Sequence, residues 1–342
     1  MVVDQKTGRT THAASQTYQV PARTGQAARR NTGIPLRLEM FEAHAVNRSA
    51  AERRASTLTA RRSVKNAHQA AWLVNAVRCI DLTTLAGDDT AARVRRLCAK
   101  ARRPLAPHLT EALGLADNAV TTGAVCVYPT LVGPAVRALE GSNIPVASVA
   151  TGFPAGLMPL DLRLAEIRYA VGQGADEIDI VVTREHVLRH DWVALYDEVA
   201  AMREACGAAH LKAILATGDL RTLRNVYSAS MVAMQAGADF IKTSTGKESA
   251  NATLPVSLVM VRALRDYEAA TGHRVGFKPA GGMKSAKDAL AWQFLMKEEV
   301  GRDWLSPQLF RLGASSMLAD IERQLEHYVT GRYAASFRHA LA

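Results

Sequence analysis

Ala238-Asp239-Phe240-Ile241-Lys242-Thr243-Ser244-Thr245-Gly246-Lys247 is the most informative stretch of this chain. A short apolar run ends on a lysine, and small hydroxyl residues and a glycine follow at once. Strands of parallel sheets are buried on both faces and read as continuous apolar runs. A lysine at the end of such a strand puts its amine at the mouth of a buried layer. Burial disfavours the charged form, and a neutral lysine amine is a nucleophile toward carbonyl carbon. A plain ion pair is the competing reading of the same residue.

Working outward, the run is one of eight. The others lie at 77–82, 123–128, 145–150, 177–182, 211–216, 274–278 and 309–313, with 239–243 as the sixth. Amphipathic segments at 160–173, 192–205, 221–236, 254–270 and 285–299 separate them, and Gly172, Gly174, Gly237 and Gly272 fall where helices should stop. Eight strand–helix units in roughly 250 residues predict one parallel (β/α)8 TIM barrel. A doubly wound sheet is the structural alternative, and no GxGxxG follows the first strand to favour it.

The chain has 342 residues, 48% of them hydrophobic, enough for one large core. Its net charge of +10 is unevenly placed. Residues 1–70 hold twelve Lys/Arg against four Asp/Glu, whereas 71–342 hold 30 against 28. The barrel is thus nearly neutral and is not read as a nucleic-acid binder. The basic N-terminus stays open to three readings: a solvating tail, a contact with nucleic acid or an anionic surface, and a transit peptide. Residues 1–44 are assigned as a basic, disordered extension, 45–335 as the barrel and 336–342 as a C-terminal tail. Within 41–70 a helical segment would turn Arg53, Arg54, Arg61 and Arg62 toward solvent. Cys79, Cys98, Cys126 and Cys206 form no CxxC, which gives neither metal spacing nor a disulfide framework and points to a cytoplasmic compartment. No apolar run approaches the roughly 18 residues of a membrane helix.

In such barrels the site lies at the C-terminal ends of the strands. Those positions hold Asp81, Cys126, Tyr128, Asp179, Lys242 and Lys278. A second cation beside Lys242 would lower its pKa, so Lys278 on the next strand is the candidate modulator. Asp179 is the candidate proton shuttle. Asp81 could equally cap the loop that follows it. Gly281-Gly282 after strand 7 and Gly313-Ala314-Ser315-Ser316 after strand 8 match the place where barrels bind phosphate, with Lys247 as counter-charge. The residues alone therefore point to a class I aldolase acting on a phosphorylated compound.

Ile80 to Leu85, Val125 to Pro129, Glu177 to Val181, Phe240 to Lys247 and Gly276 to Gly282 together resemble the deoxyribose-phosphate aldolase family over about 45–335. Ser148 to Pro154 and Phe310 to Ser315 resemble its longer, animal-like branch. The resemblance implies Lys242 as the Schiff-base lysine, Lys278 as the lysine that lowers its pKa, and Asp179 as the acid in proton transfer. It implies Asp81, Cys126 and Thr217 as pocket residues, and Gly246, Lys247, Gly281, Gly282, Ser315 and Ser316 as phosphate ligands. It also implies reversible cleavage of 2-deoxy-D-ribose 5-phosphate in deoxyribonucleoside catabolism, with no metal or organic cofactor. A homodimer or a homotetramer is the expected assembly. Some members relay protons through a tyrosine in a C-terminal tail. Tyr333 lies in a similar tail, but Phe337 to Ala342 end without a tyrosine. The alternatives are a class I barrel aldolase for another phosphorylated substrate and a catalytically silent phosphate-binding scaffold.

Overall fold

A computed structural model describes residues 30–115, 120–335 and 337–340. Eight parallel strands form one sheet: β1 Ile80–Thr83, β2 Ala124–Val127, β3 Val146–Val149, β4 Glu177–Val181, β5 His210–Ile214, β6 Phe240–Lys242, β7 Gly276–Lys278 and β8 Leu312–Ala314. Each strand pairs with its neighbour in sequence, and β1 also pairs with β8. Single bridges Phe277↔Phe310 and Ala280↔Gly313 join the β7 side to the β8 side and close the ring. This is the (β/α)8 barrel that the alternation predicts.

The strands are short and nearly all their residues are buried, so they need apolar cover on both faces. Helices between successive strands supply the outer cover. Several start on side-chain caps: Thr90, Asp191 and Thr222 accept from backbone N–H groups, and Ser285 forms a capping box with Asp288. One glycine is needed for packing alone. A Cβ on Gly276 would lie 2.3 Å from the Phe240 ring, so β7 can approach β6 only without a side chain there.

The first and last strands start later than their apolar patterns suggest. Val77 to Cys79 complete the helix Asn66–Cys79, whose core-facing residues continue the same apolar run. Ser306 accepts from the amides of Leu309 and Phe310, which holds that stretch in a turn and delays β8 to Leu312.

The extension is a second correction. Residues 1–29 lie outside the described residues, but 30–44 are built onto the barrel. Asn31 donates to the carbonyls of Met234 and Ala238 at 2.7 and 2.9 Å, and its amide donates to Asp239 at 2.9 Å. Ile34 donates to the Gln235 carbonyl, and Phe41 is fully buried edge-on to Trp192. Ile34, Leu36, Leu38 and Met40 also pack against the core. The arginines of 48–62 are also more than a solvated face. Arg54, Arg61 and Arg62 all pair with Glu298, and Arg54 reaches Glu299 as well. They clip the helix Arg48–Ser56 and its continuation to the helix Ala286–Glu299.

Candidate active site

The barrel interior holds a cluster of charges. Register places Lys242 of β6 beside Lys278 of β7, and Asp179 of β4 beside Lys212 of β5. Period-2 alternation turns Glu177 and Asp179 to the same interior face. The Asp179 carboxylate accepts from Lys242 at 2.7 Å, from Lys278 at 2.8 Å and from Lys212 at 3.1 Å. Asp81 meets Lys278 and Arg311, both at 2.6 Å, and Lys212 at 3.3 Å. Glu177 meets Lys212 at 2.5 Å and Arg311 at 2.7 Å. All seven groups are buried.

Burial acts against every charge here, and the neighbours decide which charges survive. Burial lowers the pKa of Lys242 below 10.5, Lys278 lowers it further, and the single carboxylate of Asp179 does not restore it. Lys278 and Lys212 suffer the same burial, but each faces more than one carboxylate and is held above 10.5. Asp179 would be raised by burial, yet Lys212, Lys242 and Lys278 hold it well below the carboxylate range. Burial, reinforced by Asp179, pushes the Cys126 thiol up, so it stays protonated.

Opposite the lysines, Cys126, Ala147 and Val149 form a small apolar wall with Leu85, Tyr128 and Phe153 packed on it. Thr217 follows β5. Its amide donates to Thr243, and its buried Oγ1 has no hydrogen-bond partner among the described residues.

The loops after β6, β7 and β8 meet at the rim. A Cβ on Gly246 would touch the Gly281 Cα at 3.8 Å, and the Gly313 amide donates to the Pro279 carbonyl at 2.9 Å. Gly246, Gly281 and Gly282 have φ of 85°, 76° and 78°, the left-handed region that glycine adopts freely. Ser315 and Ser316 are exposed at the start of the helix Ser316–Thr330, and no side chain caps that helix end. Lys247 is exposed on the β6 loop. Together these residues make a rim of open backbone amides, a helix N-terminus and a lysine, which suits an anion.

A family model described as DeoC/LacD family aldolase matches residues 76–298. The chain belongs to that aldolase family. It is 60% identical over 307 residues to human deoxyribose-phosphate aldolase, covering 89% of this chain and 96% of the human one. Identity to the Bos taurus protein of the same name is 60% over 305 residues, with 89% of this chain and 96% of that one covered. A solved tetrameric deoxyribose phosphate aldolase from Aeropyrum pernix shares the fold, with TM-score 0.54 and 23% identity over 77% of this chain and 98% of that one.

The structure also bears on two readings that the sequence left open. Asp81 does not cap its loop. That task falls to Asp89, which accepts from Thr84 Oγ1 at 2.8 Å and from the Ala86 amide at 2.9 Å. Tyr333 stacks on His327 with ring centroids 4.2 Å apart, at the end of the final helix remote from Ser315. The sequence reading missed Lys212, Glu177 and Arg311. Lys212 is the lone charge in Leu211-Lys212-Ala213-Ile214, and that isolation was the available signal. It also missed Glu248, which shapes the β6 loop by accepting from Thr245 N and Oγ1 at 3.0 and 2.8 Å.

Proposed function

We propose that this aldolase reversibly cleaves 2-deoxy-D-ribose 5-phosphate to D-glyceraldehyde 3-phosphate and acetaldehyde through an imine on Lys242. The carrying observation is Lys242 itself: a buried amine beside Lys278, held by one carboxylate. The neutral amine adds to the C1 aldehyde, and loss of water gives an iminium. Proton removal from the C3 hydroxyl breaks the C2–C3 bond. Its electron pair flows into the iminium, so the lysine itself supplies the electron sink. Glyceraldehyde 3-phosphate leaves. The enamine takes a proton at its terminal carbon, and hydrolysis frees acetaldehyde and the amine.

In this reading Asp179, held ionised by three lysines, moves the protons, and Lys278 supplies acid character. The apolar wall at Cys126 receives the two-carbon fragment, and Asp81 fixes Lys278 from below the pocket. The free Thr217 hydroxyl meets a substrate oxygen. Gly246, Lys247, Gly281, Gly282, Ser315 and Ser316 hold the phosphate. The reaction belongs to deoxyribonucleoside catabolism.

We also propose the cytoplasm as its compartment, which four buried cysteines, none in a disulfide among the described residues, support. No helix of the described residues is long and apolar enough to cross a membrane. A homodimer or homotetramer is supported by exposed Leu157, Met158, Leu160, Leu162, Leu188 and Val193 near neighbouring helix starts, and by the tetrameric Aeropyrum structure. Light scattering of the purified chain tests this, and a monomer at micromolar concentration would overturn it.

Acetaldehyde with borohydride should leave an ethyl group on Lys242, located by peptide mass mapping. An adduct elsewhere, or none, would overturn the mechanism. The pH profile follows from the directions above. Activity needs neutral Lys242, so kcat/KM rises with pH through a midpoint below 10.5. Lys278 stays protonated to above 10.5, so it imposes no earlier falling limb.

A further inference from the structure

Four cations and three carboxylates share the barrel interior, but the carboxylates are not shared evenly. Lys212 meets Glu177, Asp179 and Asp81. Lys278 meets Asp81 and Asp179, and Arg311 meets Asp81 and Glu177. Lys242 meets Asp179 alone. Three fully partnered cations already neutralise three carboxylates. A proton on Lys242 would add one unmatched positive charge to a dry cluster, which is strongly disfavoured.

Every other element facing Lys242 leaves that balance intact. Cys126 of β2 stays a neutral thiol. The β3 strand Val146–Val149 offers only Ser148, whose hydroxyl donates to the Val149 carbonyl. On the loop after β6, Glu248 is engaged by Thr245 and lies 3.7 Å from Arg184, while Lys247 is exposed.

We infer that Glu177 and Arg311 are positioning residues that set the proton count at Lys242 through the charges between them, by matching charge and without touching substrate. Glu177 opens β4, four residues below the level of Lys242, and Arg311 immediately precedes β8 and reaches Glu177 and Asp81. The inference rests on Lys242 being the imine-forming lysine. It makes a signed demand. Removing the Glu177 charge leaves excess positive charge and drives the Lys242 proton off more readily. Removing the Arg311 charge leaves a net negative cluster that a proton on Lys242 would neutralise.

The experiment is the pH dependence of the mass-mapped acetaldehyde–borohydride adduct at Lys242 in the full chain. Glu177→Gln should move the trapping midpoint down, and Arg311→Met should move it up, each by about one pH unit for a unit charge acting across the cluster. The charge-keeping variants Glu177→Asp and Arg311→Lys should keep the wild-type midpoint. Circular dichroism checks folding of each variant. If Arg311→Met does not fold, the Glu177→Gln and Glu177→Asp pair decides alone. Absence of the adduct in wild type would overturn the catalytic reading. A wild-type adduct with unmoved midpoints in the charge-removing variants would overturn only the inference. So would midpoints that move in the same direction, since that is what simple loosening and water entry would produce.

Discussion

The interior at β4 to β8 and the rim after β6 to β8 handle charge in opposite ways. The interior is closed and crowded with side-chain charges, each locked by a partner on another strand. The rim is open, poor in fixed side-chain charge, and built of glycine and serine backbone. The difference teaches where each kind of chemistry can live. Tuning an amine needs a dry place, where one charge alters its neighbour's proton. Holding a phosphate needs donors that water can reach and leave, and backbone amides supply them without desolvating an ion.

Substitutions can break either side of the comparison. Removing the proposed nucleophile has the largest expected effect: Lys242→Ala should cut turnover of 2-deoxyribose 5-phosphate roughly 10⁴-fold or more, as read in a coupled assay for glyceraldehyde 3-phosphate. Retained turnover would move the chemistry elsewhere. Lys212→Met attacks the interior as structure. It takes one buried cation from Glu177, Asp179 and Asp81 at once and leaves the cluster with unmatched negative charge, and urea unfolding should show a loss of about 3–5 kcal/mol. A loss below about 1 kcal/mol would mean the three carboxylates find other partners.

The rim should respond in KM. A Cβ on Gly281 would lie 2.7 Å from the Asn251 carboxamide at a φ of 76°. Gly281→Ala should therefore distort the loop and raise KM for the phosphorylated substrate about tenfold, matching roughly 1–2 kcal/mol of left-handed strain. Kinetics on 2-deoxyribose without phosphate should change far less, and equal losses on both substrates would refute the anion assignment. Lys247→Ala should be mildest, raising KM a few-fold at low salt, as expected for an exposed charge worth about 0.2–1 kcal/mol. That increase should shrink as salt rises. A salt-independent effect would show that Lys247 acts through loop structure instead.

Legibility in the sequence divides along the same line. The barrel could be read because buried strands and amphipathic helices alternate with periods that side-chain geometry imposes. Lys242 and Lys278 could be found because each is a charge that ends an apolar strand, and Asp179 and Asp81 because each is an acid inside a short apolar one. Lys212 sits beside Asp179 and two residues below the level of Lys242, in the middle of an apolar run. Arg311 lies in the turn before β8, so strand-end reasoning passed over both. Residues 30–44 were hidden for another reason. Asn31 and Gln235 attach that segment through amide hydrogen bonds between positions about 200 apart, and no local pattern records such a contact.

The sequence by itself determined the architecture, the family and the identity of the strand-end groups, because periodicity and motif order are local properties of the chain. Tertiary structure alone decided which cation has only one carboxylate partner. That depends on register between strands: Asp179 faces Lys212, and Lys242 lies beside Lys278. Charges interact through space, so the same lysine that the sequence marks only as buried becomes, in the closed barrel, the one amine with a single carboxylate to hold its proton.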